Sequence, residues 1–162
     1  MSTIGYKVVS PVLDEYPGDY PVMLEVEIPD NAIIVDAGRK FRTNVIIPKR
    51  VGFIRTIYRT FSLRDRLNFM GIVGTRPYYL IETDPDDWFD FDRARKEGIK
   101  IPLQFVSRYS PNICNKYLLY TLGHSTELPT EEVDLDIFND CSAGISYFSS
   151  YRDAIDFLND ME

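Results

Sequence analysis

One histidine, two cysteines, a run of aspartates and a concentrated set of arginines are the residues of this chain that could do chemistry. His124, in Leu122-Gly123-His124-Ser125-Thr126-Glu127, has the chemistry of a general base or metal ligand. Its place after an apolar segment, among polar residues, reads instead as a loop. Cys141 would be a nucleophile if a neighbour lowered its pKa, but the adjacent Asp140 raises it, and the residue reads as a small buried hydrophobe. Zinc needs three or four ligands at close spacing, and Cys114, Cys141 and His124 lie far apart. Asp84, Asp86, Asp87, Asp90 and Asp92 lack the central glycine and terminal glutamate of a calcium loop. The glycines form neither a phosphate cradle nor a nucleophile elbow. These residues assign no catalytic role, no metal and no cofactor.

The basic segment carries more information. Arg39, Lys40, Arg42, Lys49, Arg50, Arg55, Arg59, Arg64 and Arg66 fall within 28 positions, interleaved with Phe41, Phe53, Tyr58 and Phe61. Residues 39–66 are net +8, whereas residues 1–38 are net −6 and residues 67–162 net −9, for a total of −7. Seven of the nine cations are arginine, whose planar fork suits two-point contact with carboxylate or phosphate. Three readings follow: a solvated hairpin face neutralised by the chain's own acids, a docking face for an acidic protein surface, and, less favoured by the overall sign, contact with nucleic acid.

The elements that must position these residues are short. Tyr6–Val9 reads as an opening strand stopped by Pro11, and residues 14–21 as turn chemistry. Val22, Leu24, Val26 and Ile28 alternate with Met23, Glu25 and Glu27, the period of a strand with one buried face. Ala32–Val35 is a further strand. Lys40–Phe61 reads as two strands joined near Pro48-Lys49-Arg50, and Arg64-Asp65-Arg66 as a loop. Leu67–Val73 and Tyr78–Glu82 read as a strand pair. Asp84 and Pro85 are N-cap and first-turn residues for a helix over 85–97, closed by Gly98. Trp88, Phe91 and Ala94 follow at helical spacing. Ile99–Val106 and Lys116–Leu122 return as strands. A second helix spans about 150–159, with Ser150 and Asp153 at capping-box spacing and Tyr151, Ala154, Ile155 and Leu158 on one face. The pattern predicts an α+β fold with a mainly antiparallel sheet and two helices, in one domain over 1–162.

Composition agrees with a folded chain: 44% of the 162 residues are hydrophobic and 14% aromatic. No apolar run reaches the ~20 residues of a membrane-spanning helix. The first residues lack the basic start and apolar stretch of a signal peptide, and two cysteines make no disulfide framework. The expected location is intracellular, not the secreted compartment.

A likeness adds to that expectation. Leu24–Ala32, Gly38-Arg39-Lys40-Phe41-Arg42 with Val45-Ile46-Ile47, Tyr120-Thr121-Leu122-Gly123, and above all Cys141-Ser142-Ala143-Gly144-Ile145-Ser146-Tyr147-Phe148 leading into Ala154 and Phe157 carry it. Together they resemble an uncharacterised domain of proteins from large double-stranded DNA viruses, sometimes fused to pentapeptide repeats. The motif residues are Cys141, Gly144, Ile145, Tyr147, Phe148 and Ala154. That family usually has histidine at the position of Ser146 and cysteine at that of Phe41, so any chemistry those residues perform in relatives is missing here. The stretch from about 53 to 105 departs from the family and reads as an elaboration. Gly144–Ser150 is also similar to the Gly-Ile-Tyr-Phe strand of ADP-ribosyltransferase-like folds, although their early Arg or His and late Glu have no clear counterparts.

The resemblance implies a viral origin, and with it a virion or the host cytoplasm as the expected location, without an activity attached. The reading that results is a non-enzymatic interaction protein, a minor virion or capsid-associated component docking on acidic virion proteins through its basic segment. One alternative is an ADP-ribosyl- or nucleotide-binding protein using Gly144–Phe148; another is an accessory protein that captures a host factor.

Overall fold

The computed structural model of the chain describes residues 2–13, 16–17, 21–38, 40–59, 78–107, 118–135 and 144–161. In chain order the elements are β1 (Thr3–Leu13), β2 (Tyr16–Pro17), β3 (Val22–Ile28), β4 (Ile34–Asp36), β5 (Phe41–Thr43), β6 (Val45–Arg59), β7 (Tyr78–Phe89), α1 (Phe91–Glu97), β8 (Gln104–Ser107), β9 (Tyr120–Thr121), β10 (Thr126–Glu127), β11 (Ile145–Tyr147) and α2 (Tyr151–Met161). Each strand pairing is antiparallel. The fold is α+β, as the alternating and helical periods predict.

The larger sheet runs β10-β6-β3-β1-β8-β9, with β2 on β1 and β7 on β6. Its two ends meet. The turn between β9 and β10 places Gly123 at φ +84°, and the Gly123 N–H donates to the Pro48 carbonyl on β6 at 2.8 Å. Thr126 Oγ1 donates to the Leu119 carbonyl at 3.1 Å. The sheet therefore curls upon itself, and Val9, Val22, Leu24, Val51, Phe105, Tyr120 and Leu122 fill the enclosed core. A smaller sheet, β11-β5-β4, joins the larger one where the Tyr6 N–H and C=O exchange 2.8 Å hydrogen bonds with Phe148.

On the other face of the large sheet lies α2. Its N-terminus is capped as the sequence predicts, Ser150 Oγ accepting from the Asp153 N–H at 3.1 Å. Ala154, Ile155 and Leu158 are buried against Val8, Met23 and Phe148. This explains why Met23, on the polar phase of β3, is buried: both faces of that strand are covered. A fully buried aliphatic of this kind stabilises by about 2 kcal/mol.

Three sequence expectations are corrected. The first helix starts at Phe91, not Pro85; Asp90 is its N-cap, accepting from the Arg93 N–H at 2.8 Å, and Trp88 and Phe89 end strand β7. Asp84-Pro85-Asp86-Asp87 is a bulge: the register passes from Gly52↔Trp88 to Ile54↔Thr83. Gly98 does close the helix, at φ 65°, with the Ile99 N–H reaching back to the Ala94 carbonyl. The opening strand does not stop at Pro11 but continues to Leu13. Pairing with β3 ends at Val9, so the proline has β8 as its neighbour and costs no bond toward β3. The basic stretch breaks at Asn44 rather than at Pro48-Lys49-Arg50, and β6 runs through Pro48 at a register shift. Asn44 is a structural corner: its Oδ1 accepts from the Ile33 N–H (2.9 Å) and its carbonyl from the Leu128 N–H (2.7 Å). Tyr78–Glu82 is a strand, as the sequence predicts, and pairs with β6. Leu67–Val73 lies outside the described residues.

Candidate functional site

The basic segment divides into two parts. In the first, each described cation is engaged by the fold that carries it. Arg42, 2% exposed, is among the largest fully buried side chains, and its Nε donates to the Asp134 carbonyl at 3.1 Å. Gly144 faces it at φ +137°, with the Arg42 side chain beside the place where a Cβ would stand. Lys49 pairs with Glu27 at 3.1 Å. Arg50 donates from Nε and Nη2 to the two carboxylate oxygens of Glu25, its cross-strand neighbour. The Arg50 guanidinium also lies 5.1 Å from the Trp88 ring centroid, and Trp88 meets Tyr6 and Tyr151 edge-on. The Glu25 hydrogen bonds raise the pKa of Arg50, so this guanidinium is charged at every working pH. Lys40 sits 4.3 Å from the Phe157 centroid and 5.8 Å from that of Phe148.

The second part lies on β6 beyond its last β3 partner, Phe53. Residues 54–59 pair, among the described residues, with β7 only. Among the described residues the two strands thus form a two-stranded arm. Its register sets Arg55 opposite Glu82, Tyr58 opposite Tyr79 and Arg59 opposite Tyr78. The root is anchored by Ile54, which packs on the α2 side of the sheet. Arg39, Arg64 and Arg66 lie outside the described residues.

The family-motif strand is the other candidate. Ile145, Tyr147, Phe148 and Ala154 are all buried, and β11 pairs with β5 so that Ser146 stands opposite Arg42 and Tyr147 opposite Phe41, with which it stacks. Cys141 lies outside the described residues, as does Cys114. Where β11 meets β1, a small cleft is lined by Lys7, Lys40, Ser146, Tyr147, Phe148 and Phe157. Its cavity volume of about 20 Å³ admits roughly one water molecule. Lys7, 4% exposed, donates to the Ser146 carbonyl at 2.7 Å and to its hydroxyl at 3.3 Å, and lies 5.5 Å from the Tyr120 centroid. Burial pushes the Tyr147 hydroxyl up to about 12, with Asp36 adding to the effect, and burial pushes Tyr120 to about 12 against a hydrogen bond with Ser107.

Sequence reasoning passed over Lys7. The signal was present: Gly5, Lys7 and Val9 share one phase of a strand, and a lysine in phase with core residues has to find a polar partner. The Tyr6–Trp88–Tyr151 cluster was hidden because Trp88 was read as helical. His124 is on the exposed β9–β10 turn, as its sequence context predicts. Among the described residues no three His, Cys, Asp or Glu side chains come together as a metal site. No described helix is long and apolar enough to cross a membrane. Comparison of the chain with protein-family models, curated proteins and solved structures finds no match.

Proposed function

We propose that this chain is a non-enzymatic interaction protein of a large DNA virus, a minor virion component that docks on acidic protein surfaces through its β6–β7 arm. The observation that carries the reading is the place of Arg55 and Arg59 on the β6–β7 extension, beyond the last β3 partner of β6. A two-stranded ribbon alone in water is marginal, and a partner surface would stabilise it. Its residue types favour such a partner: Arg55, Tyr58, Arg59, Tyr78 and Tyr79 are the kinds that dominate interface energetics. Arginine meets carboxylates through two parallel bonds, which gives an acidic surface preference over a neutral one. The chain's net charge of −7 opposes general nucleic-acid binding, so protein is favoured over DNA or RNA. The viral setting rests on the sequence resemblance.

Mass spectrometry of particles purified from infected cells tests this directly. The reading expects the chain at a reproducible copy number that survives protease treatment of intact particles. Its absence from particles while present in the infected-cell lysate defeats the virion assignment.

A further inference from the structure

We propose that the exposed apolar surface of Phe91, Ile99 and Leu103 docks a second copy of this chain, taking up the acidic segment that ends at Leu135. Phe91 is 40% exposed, and Ile99 and Leu103 are each 43% exposed. Local contacts draw them to one end of the large sheet. The Phe91 ring lies over Gly123, where a Cβ would stand 2.9 Å from it. The Leu122 N–H donates to the Leu103 carbonyl at 2.8 Å, and the Ile99 N–H to the Ala94 carbonyl at 2.9 Å. Residues 91–103 carry Arg93, Arg95, Lys96 and Lys100 against Asp92 and Glu97, net +2. Arg93 is paired with Glu97, whereas Arg95, Lys96 and Lys100 are exposed and form no ion pair among the described residues. Arg95 stands four positions after Phe91, on the same helix face.

The complement is carried by the same chain. Residues 127–135 hold Glu127, Glu131, Glu132 and Asp134 and no cation, net −4. Leu135 is 66% exposed, the most exposed large hydrophobic among the described residues. Its backbone is nonetheless held: Val133 is buried, and the Asp134 carbonyl accepts from Arg42 Nε at 3.1 Å. A leucine fixed by its neighbours and open to water loses little freedom on binding. Apolar anchors on both sides supply burial, and the opposite charges around them supply register. Within one chain neither half covers the other, since both are exposed. A second copy gives each half its complement. Nothing in this contact involves the β6–β7 arm, so the two proposals stand or fall separately.

Sedimentation equilibrium of the full chain, from micromolar to submillimolar concentration, tests the contact. The mass should rise above that of one chain as concentration increases, and added salt should weaken the rise by screening the exposed charges. Leu135→Asp and Ile99→Asp should each weaken association about tenfold or more, since each sets a carboxylate in the apolar contact. Lys49→Gln should associate as the parent does. Mixed in equal amounts, the two aspartate variants should associate with each other more tightly than either does with itself. Leu135→Asp retains the apolar surface and Ile99→Asp retains the acidic segment, and misfolded variants would not restore each other in this way. A single-chain mass at every concentration, undiminished association by either variant, or no gain on mixing overturns the proposal.

Discussion

The two parts of the basic segment differ in the strands they pair with, not in residue type. Between Lys40 and Arg50 the cations lie beside strands that supply partners: Glu25 and Glu27 on β3, the Asp134 carbonyl, the rings of Phe148 and Phe157. From Arg55 to Arg59 the same strand has left β3 behind, and β7 is its neighbour among the described residues. Arginine is thus used in one place as internal structure and in the other, on our reading, as a contact surface. Residue type and charge density alone do not separate the two parts; the point where β3 ends along β6 does.

Substitutions can break or sharpen that contrast. The largest effect is expected at Arg42, where Arg42→Ala removes a buried cation from the Asp134 carbonyl and empties its space beside Gly144. Chemical denaturation should show a loss of about 3 kcal/mol. An effect near zero would mean that the inner half is not structural after all. Next comes Gly52→Val, because a Cβ at Gly52 would stand 2.9 Å from the Trp88 ring. Overpacking there should cost about 2 kcal/mol and weaken the root of the arm without touching a charge.

Alkaline unfolding gives a third test, with no substitution needed. Burial raises Tyr120 from 10.0 to about 12, so the folded state holds its proton more tightly than the unfolded chain. The stability this group contributes is complete below pH 10 and falls as pH rises toward 12, by about 3 kcal/mol in all. The unfolding midpoint followed by fluorescence should decline across that window, and Tyr120→Phe should flatten the decline. Smaller again is Arg50→Ala, which loses a half-exposed pair with Glu25 and the contact over Trp88; about 1 kcal/mol is expected from its thermal midpoint.

Much of the fold was legible in the residues. The alternation in Val22–Ile28 and the Tyr151, Ala154, Ile155, Leu158 face both reflect a strand and a helix with an apolar side to bury. What misled was proline. Pro11, Pro48 and Pro85 each read as an interruption or a helix start, and each is accommodated inside a strand, two at register shifts and one where a partner strand has ended. Those tolerances depend on the pairing partner, which no local window contains. Asp84-Pro85 and Asp90 are both competent helix starts. The second prevails because Phe89 is buried in the core and Trp88 belongs to an aromatic cluster as strand residues. The candidate site was visible as charge, but its division was not, since where β3 ends relative to β6 is a property of register.

The central claim is that the arm, and not the inner half, makes the outward contact. It is tested most directly by comparing particle incorporation of Arg55→Glu/Arg59→Glu with that of Lys49→Gln during infection, after confirming that both fold with parental thermal midpoints. The account predicts that the arm variant is depleted from particles about tenfold or more, the effect of losing two charge-assisted contacts, while Lys49→Gln is packaged normally. Parental incorporation of the arm variant would contradict it.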